Sequence, residues 1–273
     1  MNAVTTILRK ELRDSFRSRW LLAYAAAFSV LALGLSLAGS GGDSIGGQGF
    51  NRTTAGLINL CLLLVPLLAL MVGADSIAGE RERGTLITLL AQPISATELL
   101  VGKYLGLTLA LWAAISLGFG IAGLAIAVVS PVSDIGHYAV FILLSAGLAS
   151  TMLSLGVLIS VLAGGRLKAL ALAVLAGFAL VLFYDVGAIS FAMAVSPSGR
   201  GLLVAVLGNP VEAVRILAIL SIEPDLQLLG PLGAYMSEQV GVGPSTVILL
   251  LTLLAWTAIP FALAVGLFRR KDA

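Results

Sequence analysis

The composition of this chain excludes an ordinary soluble domain. Its 273 residues are 59% hydrophobic and 11% charged, and the formal net charge is +2, whereas about a quarter of the residues in a typical soluble domain are charged. The mean hydropathy is +1.07. Because each membrane crossing needs about 20 apolar residues, the sequence predicts an all-α protein that crosses the lipid bilayer several times. The small net charge gives no reason to expect a nucleic acid partner.

The first predicted element is a helix at residues 3–19 that lies on the membrane surface. Apolar residues recur there at steps of three and four, and charged residues fall largely on the opposite face. The apolar face comprises Val4, Ile7, Leu8, Leu12 and Phe16, and the charged face Arg9, Lys10, Arg13, Asp14 and Arg17. Trp20 follows where an aromatic side chain typically marks the membrane interface.

Six apolar runs long enough to cross a bilayer follow this helix. We predict spans at 20–38, 55–74, 100–129, 138–162, 168–194 and 245–267. The first run is about twice the length of a signal-peptide core, so we expect an uncleaved span. All six belong to one transmembrane domain over 1–273, with an outer segment at 196–243 between the last two spans.

The distribution of basic residues predicts which side of the membrane each loop occupies. With six spans, both termini and two of the loops share one side, and 13 of the 16 Lys and Arg residues fall there. The other side keeps Arg52, Arg200 and Arg215 against six carboxylates. Because cytoplasmic loops are enriched in Lys and Arg, we expect both termini and the segment at 75–99 to lie in the cytoplasm.

The segment at 75–99 combines charged residues with signals that end and start helices. The run Glu80-Arg81-Glu82-Arg83 alternates in sign, which is typical of a solvated helix end, and Gly84 interrupts the helix. A short apolar helix is expected from Thr85 to Leu90. Ser95-Ala96-Thr97-Glu98 is a capping box, the pattern that starts a helix. We therefore predict a helical cytoplasmic hairpin between the second and third spans.

Two short helices are predicted in the outer segment. Asn209, Pro210 and Glu212 are typical of the cap, first and third positions of a helix. The helix that follows carries Arg215 and is too short to cross the bilayer, as is the apolar piece at 201–207. We expect re-entrant or interfacial helices that close the outer end of a pathway. The alternative is a lipid-facing amphipathic helix without a function.

Three isolated residues are candidates for chemistry by their side-chain type alone. Asp185 interrupts the fifth span but lies about 26 Å along it from Lys168, so we expect an interfacial carboxylate. A position deeper in the membrane would make it a candidate proton carrier. His137 is the only histidine and Cys61 the only cysteine, so neither has the partners that a metal site or a disulfide requires.

The sequence carries no motif for catalysis or nucleotide binding. The nearest approach to a P-loop, Gly102-Lys103, is followed by Tyr104 instead of Ser or Thr. There is no H-E-x-x-H zinc motif, and no Ser, His and Asp set that could meet on one side of the membrane. We therefore predict no catalytic residue, no metal and no cofactor on this chain, and expect a membrane subunit rather than an enzyme.

Four pieces of sequence around the predicted hairpin carry a family resemblance. They are Glu80-Arg81-Glu82-Arg83-Gly84-Thr85-Leu86, Pro93-Ile94-Ser95, Glu98-Leu99-Leu100 and Gly102-Lys103. Together they resemble the cytoplasmic signature of ABC-2 type transporter permeases. The Arg9-Lys10-Glu11-Leu12 run and the outer Asn209-Pro210 pair with Arg215 extend the likeness over most of the chain. Within this family the chain looks most like the permeases of nitrous oxide reductase maturation systems. The run at 17–22 and the Arg269-Arg270-Lys271 tail also resemble the corresponding parts of those permeases.

This resemblance implies the partners of the chain. It implies a homodimer with two separate cytoplasmic ATPases, which would bind ATP and Mg²⁺, in the inner (cytoplasmic) membrane of a bacterium or archaeon. In the maturation systems a periplasmic accessory protein joins the assembly, which serves copper-site formation. The single thiol and the lack of a Met-rich or His-rich path give no support for passage of copper through this chain.

The resemblance also implies roles for particular residues. Motion of the ATPases would be received by Arg9, Lys10, Glu11, Arg13, Glu80, Arg81, Glu82, Arg83, Gly84, Thr85, Pro93 and Glu98. The outer gate or partner contact would comprise Asn209, Pro210, Glu212 and Arg215. Three other functions stay open: export of a lipid, drug or polysaccharide, proton-coupled transport through Asp185, and an anchor that transmits ATPase motion to the periplasmic partner without moving a cargo.

Overall fold

The computed structural model describes residues 3–17, 26, 29–30, 52–129, 135–184, 186–187, 199–222 and 229–271. Its helices are α1 (Ala3–Arg17), α2 (Arg52–Glu82), α3 (Thr85–Leu90), α4 (Ala96–Val129), α5 (Ile135–Leu162), α6 (Arg166–Phe178), α7 (Gly199–Leu207), α8 (Pro210–Ile222), α9 (Gly230–Tyr235) and α10 (Val242–Lys271). Helices α6 and α9 continue into π-helical turns at Ala179–Phe183 and Met236–Val240. No strand occurs in these ranges, which confirms the predicted all-α class.

Five of the described helices are long and apolar enough to cross a bilayer. They contain the candidate spans Asn59–Glu82, Ala96–Ile121, Tyr138–Leu162, Arg166–Phe183 and Val242–Arg270. A sixth crossing arises in the described part only if α7 and α8, which meet at 117°, are counted as one bent span. The chain is thus a multi-pass membrane protein. The predicted first span at 20–38 lies outside the described residues, apart from Ala26, Ser29 and Val30, which are helical.

Helix α2 continues beyond the predicted end of its span at residue 74. It runs unbroken from Arg52 to Glu82, and the first residue after it with a left-handed backbone is Gly84, at a φ of 73°. The first arm of the hairpin predicted at 75–99 is therefore about two turns of a membrane-crossing helix. The hairpin is thus continuous with a membrane-crossing helix.

Helices α2 and α5 cross closely within the bundle. A Cβ atom on Gly73 would lie 2.6 Å from the Leu153 carbonyl oxygen, and one on Gly156 would lie 2.5 Å from the Leu70 carbonyl oxygen. Small residues permit this approach of two backbones, and close packing of that kind drives association between membrane helices. Any larger side chain at either glycine would push the two helices apart.

Ser160 of α5 also binds the backbone of α2. Its hydroxyl donates to the Ala74 carbonyl oxygen at 2.6 Å and accepts from the N–H groups of Ile77 and Ala78 at 3.0 and 2.8 Å. The one donor and both lone pairs of the hydroxyl are therefore used, as a buried site without water requires. Helices α2 and α5 form a fixed frame for the rest of the bundle.

The bundle has two structurally different ends. At one end, which we call the charged end, α1 and α3 pack onto the ends of four longer helices. The apolar cluster there comprises Ile7, Ile77, Leu86, Leu99, Leu100, Val157, Val161, Ala264 and Phe268. At the opposite end, which we call the elbow end, α7 and α8 meet at their sharp bend. Because Ile7 and Phe268 share one cluster, the N-terminal helix and the last turns of α10 lie at the same end of the molecule.

Candidate functional site

Helix α1 packs against the first turns of α4 through two glycines. A Cβ atom on Gly102 would lie 2.8 Å from the Ile7 Cβ, and one on Gly106 would lie 2.7 Å from the Glu11 Cβ. Two small residues four positions apart present a flat strip that another helix can approach closely. Ile7 is buried in this contact. The surface helix is thus fixed to the start of a membrane-crossing helix.

Four charged side chains from three helices meet beside this contact, and we call them the ion cluster. They are Lys10 and Glu11 of α1, Glu80 of α2 and Lys103 of α4. The Lys103 Nζ lies 2.8 Å from Oε1 of both Glu11 and Glu80. The Lys10 Nζ lies 3.3 Å from the Glu11 Oε1 and 3.5 Å from the Glu80 Oε1. Two positive and two negative charges balance, so the cluster carries no net charge into the protein.

The centre of the ion cluster, at Lys103 and Glu80, is buried, whereas the side chain of Lys10 is 46% exposed at its edge. Lys103 is 3% exposed and Glu80 is 6% exposed, and such side chains are almost never buried unless they are paired. The sign-alternating run predicts that Glu80 is solvated, and this prediction is wrong. Its side chain is buried because it points inward to Lys103. Removing one partner of a buried pair leaves an uncompensated charge, which costs about 3–5 kcal/mol.

The charges of the ion cluster shift the pKa values of its two α1 members. Burial raises the pKa of Glu11, but the ammonium groups of Lys103 and Lys10 outweigh burial, so its pKa lies below the ordinary value. Burial lowers the pKa of Lys10, but the carboxylates of Glu11 and Glu80 outweigh burial and raise its pKa. Both shifts favour the charged forms, so the ionic contacts are maintained across the neutral pH range.

Lys103 is the member of the ion cluster that the predicted set of coupling residues lacks. The sequence places it beside Gly102 in the family signature without indicating a partner. The sequence of α1 does indicate that a partner is needed. Glu11 follows Ile7 by one helical turn, so it lies on the same, buried face of the helix. A buried carboxylate requires a paired charge, and Lys103 supplies it.

The turn and short helix between α2 and α4 present an exposed surface. Gly84 has a φ of 73°, in the left-handed region that favours glycine, so the chain turns sharply where the sequence predicts a break. Leu86 is buried and anchors α3 at the charged end, whereas Ile87 is 76% exposed. We define the hairpin surface as the exposed residues Glu82, Arg83, Gly84, Thr85, Ile87, Thr88, Gln92 and Pro93.

The start of α4 has the hydrogen bonds of the predicted capping box. The Ser95 N–H and hydroxyl donate to the Glu98 Oε2 at 2.8 and 2.7 Å, and the Glu98 N–H donates to the Ser95 Oγ at 3.2 Å. These reciprocal bonds satisfy donors that the first helical turn leaves free. They fix the point at which the chain returns from the hairpin into α4.

The connection from α5 to α6 is bound to the last turns of α2. The Arg166 Nε donates to the Asp75 Oδ1 at 2.6 Å, and the Arg166 N–H donates to the Glu82 Oε2 at 3.2 Å. The Arg81 guanidinium donates to the Ala163 carbonyl oxygen at 2.8 Å. Two of the predicted coupling residues, Arg81 and Glu82, therefore join the hairpin to the start of α6.

The bend between α7 and α8, residues 205–211, is fixed by side chains of two spans, and we call it the elbow. The Tyr184 hydroxyl donates to the Ala205 carbonyl oxygen, and the Trp256 Nε1 donates to the Leu207 carbonyl oxygen at 3.1 Å. The last carbonyls of a helix have no donor within the helix. The Ala205 carbonyl also accepts from the Gly208 N–H at 3.1 Å, and the two side chains add further donors where α7 ends.

Asn209 lies within the elbow and is fully buried. Its Oδ1 accepts from the Val211 N–H at 3.0 Å, which confirms the predicted cap of α8. Its Nδ2 donates to the Leu180 carbonyl oxygen at 2.7 Å. Leu180 belongs to the π-helical turn of α6, where the regular ladder of α-helical hydrogen bonds is interrupted. Asn209 therefore links the start of α8 to an irregular turn of a neighbouring span.

Helix α8 is packed inside the bundle. Val211, Ala213 and Ala218 are fully buried, and the helix contacts α2, α5 and α10. This burial excludes the alternative of a lipid-facing amphipathic helix. Glu212 and Arg215, which the sequence assigns to an outer gate, form an ion pair with 2.6 Å between Oε1 and Nη1 within α8.

The predicted coupling residues divide into an inner and an exposed group. Lys10, Glu11 and Glu80 meet in the ion cluster. Arg9 and Arg13 are exposed, on the side of α1 that faces away from α4, and the hairpin surface holds most of the others. The sequence predicts that all of them receive motion from the ATPases. The structure separates residues that join helices from residues that are accessible to a partner.

Two further predictions concern residues away from these sites. Asp185 lies outside the described residues, so its role stays a prediction. Cys61 is buried, and its Sγ lies 3.0 Å from the Ser145 Oγ. Within the part of the chain that the structure describes, no group of three or more His, Cys, Asp and Glu side chains is placed to hold a metal ion.

The bundle of membrane-crossing helices with a charged hairpin at one end defines a multi-pass membrane protein, and comparison with known proteins names its family. A family model described as ABC-2 family transporter protein matches residues 5–273. The chain therefore belongs to the ABC-2 transporter family. It is 34% identical over 280 residues to the probable ABC transporter permease protein NosY of Stutzerimonas stutzeri, with 99% of both chains covered. It is 33% identical over 278 residues to the protein of the same name from Pseudomonas aeruginosa, again with 99% of both chains covered.

These similarities confirm the resemblance predicted from the hairpin signature. The chain is a NosY-like permease subunit of an ABC transporter. Permeases of the ABC-2 family work with ATPase subunits. The exposed hairpin surface and the ion cluster beneath it are therefore candidates for the part of the permease that receives motion from the ATPase.

Proposed function

We propose that the ATPase subunits bind the hairpin surface and that the ion cluster makes α1, α2 and α4 move together in response. The observation that carries this proposal is the position of Lys103, whose Nζ lies 2.8 Å from carboxylates on two other helices. A helix end that moved alone would separate a buried ion pair, and that separation is strongly unfavourable. The cluster therefore favours a joint displacement of the three helices.

The proposed contact surface offers the ATPase an apolar anchor surrounded by polar residues. Ile87 is exposed on α3, between Thr85 and Thr88, and Arg83 is exposed beside it. An apolar side chain that is exposed in a hydrated loop and rimmed by polar residues is typical of a protein contact. The exposed Arg9 and Arg13 of α1 add a basic contact. In this proposal the buried members of the ion cluster do not touch the ATPase.

We infer that the charged end lies in the cytoplasm and the elbow end in the periplasmic half of the membrane. The support is the placement of 13 of the 16 basic residues on one predicted side. Both termini are then cytoplasmic, in the inner membrane of a bacterium or archaeon. ATP and Mg²⁺ are bound by the partner ATPases and not by this chain.

We also infer that the chain forms a homodimer and serves copper-site maturation of nitrous oxide reductase together with a periplasmic accessory protein. The support is the similarity over 99% of both NosY permeases. Within this role the permease either moves a cargo or performs work on the periplasmic partner. A transporter of lipid, drug or polysaccharide is the alternative, and flux measurements in reconstituted vesicles distinguish these cases.

The substitution Ile87→Asp tests the proposed docking surface. We expect the ATPase subunit to bind the variant at least about tenfold more weakly, because loss of a central apolar anchor costs about 2 kcal/mol or more. Leu167→Asp is the matched control, since Leu167 is 80% exposed at the charged end but belongs to α6. Equal retention of the ATPase subunit by the two variants in co-purification would contradict the proposal.

A further inference from the structure

Helix α6 is attached to the coupling hairpin at its first residue. The Arg166 side chain donates to Asp75 at 2.6 Å, and the Arg166 main chain donates to Glu82 at 3.2 Å. Arg81 binds the carbonyl oxygen of Ala163, three residues before α6, at 2.8 Å. All three hairpin partners lie in the last turns of α2. These bonds attach the start of α6 to the end of α2.

The same helix is attached to the elbow at its far end. The Leu180 carbonyl oxygen accepts from the Asn209 Nδ2 at 2.7 Å, and the Tyr184 hydroxyl donates to the Ala205 carbonyl oxygen. The bend leaves room for this contact at Gly208, where a Cβ atom would lie 3.0 Å from the Tyr184 hydroxyl oxygen. One end of α7 and the start of α8 are therefore both bound to the last turns of α6.

Between these two attachments, α6 crosses most of the membrane as one continuous helical segment. The rise from Arg166 to Tyr184 is about 27 Å, close to the hydrocarbon thickness of about 30 Å. Only 22% of its span is buried, so α6 is less constrained by its neighbours than α2 or α5. Its closest packing is at Gly177, where a Cβ atom would lie 2.5 Å from the Leu67 Cδ2 of α2.

We propose that α6 is a strut that carries displacement of the hairpin to the elbow, with Asn209 and Tyr184 as the positioning residues at its far end. This inference rests on the proposed function, since it names the path by which motion received at the charged end reaches the opposite end of the permease. The elbow then changes position in each ATPase cycle because α6 pulls or releases it, and not because a ligand binds there.

Besides α2, which bears the hairpin and itself contacts α8, two other helices connect the same ends but differ from α6 in their contacts. Helix α5 is joined to α2 by the Gly73–Gly156 crossing and moves with that frame. Helix α10 reaches the elbow through Trp256, but its charged-end contacts are apolar, at Ala264 and Phe268. Only α6, among these three, combines charged bonds to the hairpin with polar bonds to the elbow. Trp256→Phe is therefore the matched control, because it removes an elbow hydrogen bond without touching α6.

The test measures nucleotide-dependent accessibility at the elbow in the complete transporter, reconstituted in lipid nanodiscs. The native thiol is replaced (Cys61→Ala) and a single cysteine is introduced at Val204, which is exposed on α7. Its alkylation by a water-soluble maleimide is timed at rest and after trapping with ATP and vanadate. We expect the alkylation rate to change on trapping in the parent and in Trp256→Phe. In Tyr184→Phe and Asn209→Ala we expect that change to be lost while ATP hydrolysis continues.

The charged end of the strut provides a second, independent test. Arg166→Asp should abolish the nucleotide-dependent change at position 204, and adding Asp75→Arg should restore it, because the exchanged pair reforms the bond. A change that persists in Tyr184→Phe, Asn209→Ala and Arg166→Asp alike, or its absence in the parent, overturns the strut. Failure of the proposed function is recognised separately, by an Ile87→Asp variant that binds the ATPase subunit normally.

Discussion

The charged end and the elbow join their helices by different chemistry. At the charged end, Lys103 pairs with carboxylates of two other helices. At the elbow, the neutral side chains of Asn209, Tyr184 and Trp256 donate to backbone carbonyls. The difference follows from what each site must satisfy, because the buried carboxylates of the ion cluster require a paired charge, whereas the carbonyls at the end of a helix require donors. One joint should therefore respond to pH and the other should not.

The largest expected effect on stability is at Lys103 in the centre of the ion cluster. Lys103→Met removes the closest cation from the carboxylates of Glu11 and Glu80 and leaves only the partly exposed Lys10 beside them, so we expect the free energy of unfolding to fall by up to about 3–5 kcal/mol. Denaturant unfolding of the purified chain in detergent micelles measures this loss. The triple variant with Glu11→Gln and Glu80→Gln should recover most of it, because no uncompensated negative charge then remains.

A smaller effect is expected at the elbow. Asn209→Ala removes partners from the partly buried Leu180 carbonyl and the buried Val211 N–H, which should lower the free energy of unfolding by about 1–3 kcal/mol. Ser237→Ala is the control, since its hydroxyl also donates to a backbone carbonyl but is exposed. The loss in Asn209→Ala should be the same at mildly acidic and neutral pH. If Asn209→Ala lowered the free energy of unfolding more than Lys103→Met does, the predicted order of the two sites would be contradicted.

The parts of this structure that the sequence predicts are those fixed by local rules. The capping box of Ser95 and Glu98, the cap by Asn209 and the break at Gly84 each depend on residues within one helical turn. Apolar runs likewise predict membrane-crossing helices because lipid requires them. These signals do not need a partner from elsewhere in the chain.

The parts that the sequence does not predict depend on contacts between distant positions. Glu11 and Lys103 are 92 positions apart and meet only because α1 crosses α4 at Gly102 and Gly106. The bond from Asn209 to Leu180 joins positions 29 apart, and its acceptor lies in a π-helical turn for which the apolar run Ala179–Phe183 gives no local signal. The sequence therefore indicates which residues are polar where lipid is expected, but not which helix supplies their partners.

The smallest predicted effect concerns the titration of Glu11, and its sign follows from the lowered pKa. Above the ordinary value near 4.5, the carboxylate is ionised in both the folded and the unfolded chain, so its stabilising contribution is fully present. As the pH falls through that value, the unfolded chain takes up the proton first, and the contribution is lost as the pH passes the lower pKa of the folded chain. Lys10 has the opposite dependence, because its pKa is raised.

Unfolding of the parent and of Glu11→Gln at a series of pH values isolates this contribution. The difference in free energy of unfolding between the two proteins should be constant near neutrality and should shrink below about pH 4.5. Carboxylates outside the ion cluster titrate equally in both proteins and cancel in the difference. The same comparison between the parent and Asn209→Ala should give no slope, since no ionisable group is removed. A constant difference for Glu11→Gln down to about pH 3 would mean that Lys103 does not hold this carboxylate in its charged form.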